Sequence, residues 1–162
     1  MTNKPEKSFF QTAMNTVNSW KSYRQIATKT APPGQLVLML FDGALHSLER
    51  ALIGFDYMDP REKNQTVHNN LQRAVNIIRF LNNSLNLEAG GKLAETLRNL
   101  YHYFDQRIME SNFRKRREGV DEVISSLKEL RDAWATMLVN QGRPSSLQHG
   151  LDDDLLSDAR LA

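Results

Sequence analysis

Four stretches of the chain repeat apolar residues at steps of three or four positions. These stripes run from Val37 to Phe55, from Val67 to Leu85, from Leu93 to Ile108 and from Val120 to Met137. Steps of three and four keep side chains on one face of an α-helix. Four such stripes predict an all-α protein folded as an antiparallel four-helix bundle, with helices about 30 Å long.

Helix-breaking and helix-capping residues separate the stripes. Pro32-Pro33-Gly34 precedes the first stripe, and residues 59–62 have the order of an N-cap, a first-turn proline and a capping glutamate before the second. Residues 82–91, which include three asparagines and Gly90-Gly91, are predicted to separate the second helix from the third. Residues 114–119 separate the third from the fourth, which ends at residues 142–144. Connections this short predict that consecutive helices are antiparallel neighbours.

The composition fits one soluble globular domain. Of the 162 residues, 40% are hydrophobic and 25% are charged, and the formal net charge is +2. The absence of cysteine excludes disulfides, thiol catalysis and cysteine-based zinc sites. The longest apolar run, Leu36 to Phe41, is much shorter than a membrane span, which needs about 20 residues, and the N-terminus lacks a secretory signal. We therefore expect a cytoplasmic protein without stable membrane insertion.

The sequence contains no motif for catalysis, metal binding or cofactor binding. Di-iron bundles use Glu-x-x-His pairs, and no Glu of this chain is followed by His three positions later. The four histidines are dispersed. A G-x-S-x-G nucleophile motif, a phosphate-binding loop and a G-x-G-x-x-G motif are all missing. We therefore predict no enzyme activity, no metal and no cofactor.

Residues 114–117, Arg-Lys-Arg-Arg, form the one basic run. The run suits phosphate contacts in a nucleic-acid binder, and it also suits a solvated turn whose positive charge favours the C-terminal end of the third helix. The near-neutral chain and the lack of interleaved aromatic residues favour the turn. We predict no nucleic-acid partner and keep a nucleic-acid binder as an alternative.

The helices carry more apolar residues than one buried stripe requires. Such a wide apolar arc is typical either of a wide core face in a compact bundle or of a groove that docks a partner segment. The pattern leaves both interpretations open. The additional positions are Leu36, Leu38, Leu40, Leu45 and Leu52 on the first helix, Val75 and Ile77 on the second, Ala94, Tyr101 and Met109 on the third, and Ile124 on the fourth.

Six motifs between residues 23 and 138 keep the order and spacing of a known family. They are Tyr23 to Ile26 followed by Thr30 to Leu45, Ala74 to Ile78, Ser84 to Asn86 with Glu88 to Gly91, Leu100 to Phe104, Ser111 with Asn112, and Leu130 to Trp134. Through these motifs the chain resembles the flagellar secretion chaperone family FliS. It departs from the family pattern at Pro32, where the family has a serine, and at His102, where the family often has an aspartate.

The resemblance implies a helical-bundle export chaperone and not an enzyme. Members of the family bind the C-terminal segment of newly made flagellin, which is disordered when free, in the bacterial cytosol. This binding prevents premature polymerisation and delivers flagellin to components of the flagellar type III export gate. A helical adaptor or chaperone for another flagellar or secreted substrate stays as the alternative. A homo-oligomer is left open and is not predicted.

The matched motifs also imply roles for individual residues. Pro33, Asp42, Gly43, Gly90 and Gly91 are expected to be architectural, with Gly43 allowing close helix packing and Asp42 bonding near the N-terminal segment. The flagellin-binding groove is expected to consist of apolar anchors, with Tyr101 and Asn112 also hydrogen-bonding an extended backbone. Its residues are Tyr23, Ile26, Leu36, Leu40, Ile77, Leu81, Leu85, Tyr101, Asn112 and Trp134.

The extent of the resemblance divides the chain into three parts. Residues 23–141 are expected to form the FliS-like helical bundle, residues 142–162 a flexible acidic tail, and residues 1–22 a mobile or lid-like extension. In the family the N-terminal segment can lie over the empty groove, so the extension is either such a lid or a disordered tail. Its weak amphipathic stripe also leaves a short extra N-terminal helix open. The lid residues are Phe10, Met14, Val17 and Trp20.

Overall fold

The computed structural model describes residues 32–142, which form four α-helices joined by short turns. The helices are α1, Pro33–Phe55; α2, Pro60–Asn83; α3, Leu87–Arg114; and α4, Glu118–Gln141. The prediction of an all-α bundle with four helices is confirmed. The predictions of an N-terminal extension, of an extra N-terminal helix and of an acidic tail lie outside the described residues.

Each helix packs against two others, so the four helices form a ring. α1 contacts α2 and α4, and α3 also contacts α2 and α4. The connections span only residues 56–59, 84–86 and 115–117, and turns this short make consecutive helices antiparallel. The bundle therefore has two ends. The turn end holds the α1–α2 and α3–α4 turns, and the open end holds the start of α1, the α2–α3 turn and the end of α4.

Side-chain caps define where α2 and α3 begin. Asp59 Oδ1 accepts hydrogen bonds from the backbone N–H groups of Arg61 (2.8 Å) and Glu62 (2.9 Å), and Pro60 occupies the first helical position. This confirms the predicted start of α2. The side chain of Asn86 caps α3 by accepting from the N–H of Ala89 at 3.0 Å.

The helix boundary predicted at Gly90-Gly91 is present as a break in the backbone, although the Asn86 cap starts a first helical turn earlier, at Leu87. Gly91 interrupts the helix four residues later, with φ 52° and ψ −130°. Residues with a Cβ rarely adopt such backbone angles, whereas glycine does so at little cost. The glycine pair therefore forms a break inside α3 rather than a connection between helices.

The expectation that Gly43 allows close helix packing is also corrected. A methyl group on Gly43 would lie 3.5 Å from Ile77 Cδ1, which is an ordinary van der Waals contact. A methyl group on Gly119 would overlap Ser111 Oγ and lie 3.1 Å from the carbonyl oxygen of Arg107. Two close approaches at the turn end exclude a methyl group instead: that of α3 to α4 at Gly119, and that of α1 to α2 at Gly54, where the methyl group would lie 2.9 Å from Thr66 Cγ2.

Candidate functional site

Burial along α3 and α4 changes from the turn end to the open end. Toward the turn end their inward apolar residues are fully buried, including Phe104, Ile108, Val123 and Leu127 at 0% exposure. Toward the open end the residues that continue these stripes are only partly buried, and one of them is 65% exposed. We call these residues the α3–α4 cleft. They are Leu93, Leu97 and Leu100 on α3 and Leu130, Trp134 and Met137 on α4.

Polar contacts hold α3 and α4 together on the turn-end side of the cleft. The Tyr103 hydroxyl donates to the Glu122 carboxylate, and Arg107 donates to Glu122 Oε2 from Nε at 2.9 Å and from Nη2 at 2.6 Å. The hydrogen bond from Tyr103, and next those from Arg107, hold the pKa of Glu122 below its ordinary value. Within residues 32–142 no hydrogen bond or ion pair joins α3 to α4 closer to the open end. Polar contacts therefore join α3 to α4 toward the turn end, whereas apolar side chains stay partly exposed between them toward the open end.

Trp134 is a firmly held aromatic residue in the cleft. Its indole Nε1 donates to the backbone oxygen of Gly34 at 2.9 Å. Its ring meets Phe41 edge-on, with the ring centroids 6.2 Å apart and the planes at 82°. These contacts attach the end of α4 to the start of α1. A rigid, partly exposed aromatic side chain is typical of the anchors that carry binding energy in protein interfaces.

An ion pair between Asp42 and Arg131 lies beside Trp134. Arg131 donates from Nε to Asp42 Oδ1 at 2.8 Å and from Nη2 to Asp42 Oδ2 at 3.4 Å. The hydrogen bond to Asp42, reinforced by its charge, raises the pKa of Arg131. Asp42 was expected to bond near the N-terminal segment, which lies outside the described residues, and its partner among the described residues is Arg131 on α4. Sequence reasoning missed Arg131, although it lies three positions before Trp134 in a matched motif.

Three of the predicted groove residues, Leu40, Leu85 and Trp134, are partly buried toward the open end. Four others lie at the same side of the bundle but are almost completely buried, with 3–8% of their surface exposed. Contact of these residues with a partner stays a prediction. Leu97 and Leu100 were not predicted as cleft residues, because an apolar stripe does not show the distance between its helix and the neighbouring helix. The buried four are Leu36, Ile77, Leu81 and Tyr101.

Burial distinguishes Tyr101 from the exposed tyrosine two positions later. Tyr101 is 3% exposed, and its desolvation raises the pKa of the phenol well above the usual range. The predicted groove residues Tyr23 and Ile26 lie outside the described residues. The same holds for the four lid residues, Phe10, Met14, Val17 and Trp20.

Asn112 is not brought together with the other groove residues. It lies at the turn end of α3, about three helical turns from Tyr101, and is 9% exposed. Its Nδ2 is 3.0 Å from His68 Nδ1, and its Oδ1 accepts from Lys115 Nζ at 2.6 Å. The amide therefore joins α2 to the α3–α4 turn. The partial burial of Lys115 lowers the pKa of its ammonium group.

The basic run of the α3–α4 turn is largely engaged within the chain. Arg114 pairs with Glu110 at 3.2 Å, and Arg117 pairs with Asp56 at 3.3 Å and with Asp121 at 3.5 Å. These contacts favour the interpretation as a solvated turn over that as a phosphate-binding surface. No group of three or more His, Asp or Glu side chains within residues 32–142 is arranged to hold a metal ion. None of the four helices has the length and apolarity needed to cross a membrane.

Comparison with known proteins identifies the family. The family model for the flagellar protein FliS matches residues 16–141, which include all four helices. The chain belongs to the FliS family. The resemblance noted in the sequence is thereby confirmed, and the α3–α4 cleft lies within the matched region.

Curated members of the FliS family match most of this chain and most of their own length. The flagellar secretion chaperone FliS of Salmonella typhimurium is 35% identical over 126 residues, which are 75% of this chain and 90% of that protein. The Escherichia coli protein of the same name is 34% identical over 140 residues, 83% of this chain and 98% of its own length. The Bacillus subtilis protein is 32% identical over 117 residues, 72% and 84% of the two chains.

Proposed function

We propose that this FliS-family chain is a flagellar secretion chaperone that binds the C-terminal segment of flagellin in the α3–α4 cleft. The observation that carries the proposal is the loss of burial along one pair of helices. The stripe that buries Phe104 and Leu127 completely leaves Leu97, Leu100 and Leu130 partly exposed. An apolar helix or extended segment placed there would complete the core.

The energetics suit a partner that must be released. Apolar area removed from water contributes about 25 cal/mol per Å², so a segment lying along several leucines and one tryptophan gains several kcal/mol. A segment that is disordered when free loses conformational entropy on binding, which offsets part of that gain. The complex is therefore specific without being permanent. In the bacterial cytosol it keeps flagellin from polymerising early and delivers it to the flagellar type III export apparatus.

Trp134 is the proposed central anchor of this interface. Its ring is held by Gly34 and Phe41 before any partner arrives, so little side-chain entropy is lost on binding. Leu40 and Leu85 extend the partly exposed apolar surface toward the open end. Four other predicted groove residues support this surface from within the core, namely Leu36, Ile77, Leu81 and Tyr101.

The N-terminal extension, residues 1–22, is proposed to cover the cleft when the chaperone is empty. The contact between Trp134 and Gly34 supports this, because it places the start of α1 beside the cleft. Phe10, Met14, Val17 and Trp20 would compete with flagellin for the same apolar surface. Deletion of residues 1–21 is expected to tighten flagellin binding, because a competing occupant lowers apparent affinity. Unchanged affinity would reject the lid.

Calorimetric titration with a peptide of the last ~40 residues of the host flagellin tests the proposal. A peptide of this length is suited to coupled folding and binding. A one-to-one complex with a large negative heat-capacity change is expected. Leu97→Ser should weaken it about tenfold, because interface energy concentrates in a few apolar contacts. Ile53→Ser is the matched control, because Ile53 is 58% exposed at the turn end. Equal losses in both variants would show that the cleft is not the site.

A helical adaptor for another flagellar or secreted substrate is the competing proposal. The cleft geometry alone suits any amphipathic segment. Pull-down against flagellin and against other exported flagellar proteins separates the two. No binding to flagellin by either the full chain or the 1–21 deletion, together with capture of another exported protein, would establish the adaptor.

A further inference from the structure

The contact between α2 and α3 carries polar pairs that stop before the open end. Arg79 on α2 donates to the Asp105 carboxylate on α3 from Nε at 2.7 Å and from Nη2 at 3.0 Å. Closer to the open end, Asn82 Nδ2 lies 3.5 Å from His102 Nε2, at the outer limit of a hydrogen bond. Arg98 lies one turn further along the same face of α3, at the level where α2 ends just beyond Asn82. It has no acidic partner among the described residues.

Two buried polar atoms at this level have no hydrogen-bond partner within residues 32–142. They are Arg98 Nε, which is a donor, and Asn82 Oδ1, which is an acceptor. Buried polar atoms are nearly always hydrogen-bonded, because an unpaired one has lost its hydration without compensation. Each residue as a whole is only partly buried, so both side chains are accessible to a ligand at the surface. We call Asn82, Arg98 and His102 the α2–α3 polar site.

The ligand that fits this site is a peptide with an acidic side chain. An arginine guanidinium bonds a carboxylate through two parallel N–H groups, as Arg79 does with Asp105 between the same two helices. Asn82 Oδ1 needs a donor, which a carboxylate cannot supply but a backbone N–H or a hydroxyl can. A simple anion would therefore satisfy Arg98 and leave Asn82 unpaired, whereas an acidic peptide satisfies both.

The chain itself contains a segment with this chemistry that the proposed function does not use. Residues 151–158 read Leu-Asp-Asp-Asp-Leu-Leu-Ser-Asp, with four carboxylates, no basic residue and a net charge of −4. The segment also offers backbone N–H groups and the hydroxyl of Ser157 as donors. We call residues 151–158 the acidic segment. Its charge is opposite to that of the unpaired Arg98 guanidinium.

The length of chain between the described residues and the acidic segment is sufficient to reach the polar site. Gly142, the last described residue, follows α4 at the open end. The rise of an α-helix and the spacing of packed helices put Arg98 roughly 25 Å from Gly142. Ten residues lead from Gly142 to Asp152, and an extended chain of that length spans about 33 Å.

We propose that the acidic segment binds the α2–α3 polar site of the same chain. An aspartate carboxylate accepts from Arg98, and a backbone N–H or the Ser157 hydroxyl donates to Asn82 Oδ1. Covalent attachment gives the segment a high effective concentration at the site, so a small number of contacts is sufficient for binding. The polar site lies between α2 and α3 and not in the α3–α4 cleft, so the proposal does not rest on flagellin binding.

Paramagnetic relaxation enhancement in the full chain tests the contact. The chain has no cysteine, so Ala159→Cys places a single spin label beside the acidic segment. Amide signals of residues 99–103 are expected to broaden, and Arg98→Gln should reduce this broadening several-fold because it removes the charge. Arg116→Gln is the matched control, because Arg116 is an exposed arginine at the turn end. No broadening of these signals, or equal broadening with Arg98→Gln and Arg116→Gln, would overturn the proposal.

Replacement of the acidic side chains tests the same contact without altering residues 32–142. Asp152, Asp153, Asp154 and Asp158 are changed together to asparagine, so a folding defect of the bundle cannot explain a loss of broadening. The loss should match that of Arg98→Gln, and added salt should reduce the broadening in the wild-type sequence, because both charges are at the surface. Unchanged broadening in the asparagine variant would overturn the proposal. Weaker binding of the flagellin peptide by Arg98→Gln with unchanged broadening would also overturn it, by assigning the site to a carboxylate of the partner.

Discussion

Asp42 on α1 and Arg131 on α4 lie 89 positions apart in sequence and form a two-pronged ion pair beside the cleft. The shorter contact joins Arg131 Nε to Asp42 Oδ1 at 2.8 Å. Trp134 follows one turn later on α4 and bonds to Gly34 on α1. The open-end half of α4 is thus fastened to α1 while its other side, toward α3, carries the cleft. The Asp42–Arg131 ion pair therefore fixes the position of α4 as one wall of the cleft.

Asp42→Asn is expected to affect local order more than global stability. The two side chains are 44% and 33% exposed, and pairs this exposed contribute up to about 1 kcal/mol to the free energy of unfolding. Amide hydrogen exchange in the last two turns of α4 should accelerate, because the ion pair then no longer holds α4 to α1 just before these turns. Glu49→Gln, which removes the exposed pair with Lys128, is the control and should leave exchange near Trp134 unchanged. Identical exchange patterns in the two variants would contradict a positioning role for Asp42.

Trp134→Phe separates the hydrogen bond of the indole from its packing. The phenyl ring keeps apolar contact with Phe41 but leaves the Gly34 oxygen without its donor, which should cost about 1 kcal/mol. Trp134→Leu also removes the edge-on ring contact, worth a further ~1 kcal/mol. Urea unfolding measures both losses. If the two variants are equally stable, the ring contact contributes nothing.

Gly43→Ala and Gly119→Ala are the same substitution in two helices, with opposite expected effects. At Gly43 the added methyl group makes an ordinary contact with Ile77, so the higher helix propensity of alanine should stabilise the protein by up to about 1 kcal/mol. At Gly119 the methyl group overlaps Ser111 Oγ and crowds the Arg107 carbonyl, which should destabilise it by about 1–3 kcal/mol. Thermal and urea unfolding test both. Adding Ser111→Ala to Gly119→Ala should recover part of the loss, and no recovery would place the strain elsewhere.

Glu122 makes stability depend on pH in the acidic range. Its pKa is lowered below the ordinary 4.5 by the hydrogen bond from Tyr103 and then by Arg107. A carboxyl with a lowered folded-state pKa stabilises the fold above its unfolded pKa, and this stabilisation is lost as pH falls through the lowered value. Glu122→Gln should therefore flatten the decline in unfolding free energy below about pH 4.5. Tyr103→Phe, which keeps the carboxyl, should shift the decline to higher pH, and an unaltered profile in both would contradict the assignment.

Local signals in the sequence were sufficient to predict the four helices and to recognise the family. Apolar residues at steps of three or four positions predicted all four helices, because one buried face per helix is a local requirement. The start of α2 followed from Asp59 and Pro60, whose capping contacts span only three residues. The FliS motifs were recognisable because each is a contiguous stretch, and their order along the chain can be read from the sequence alone.

The division between core and surface was decided only by the tertiary structure. Leu97 belongs to the apolar stripe of α3 and Tyr101 to the wider arc beside it, yet Tyr101 is buried and Leu97 is only partly buried, at the cleft. Periodicity identifies the inward face of a helix but not how far its neighbour stands from it. The same reason explains Gly43 and Gly119, whose different surroundings depend on the distance between helices. The pairing of Asp42 with Arg131 likewise required the whole chain to fold back on itself before the two charges could meet.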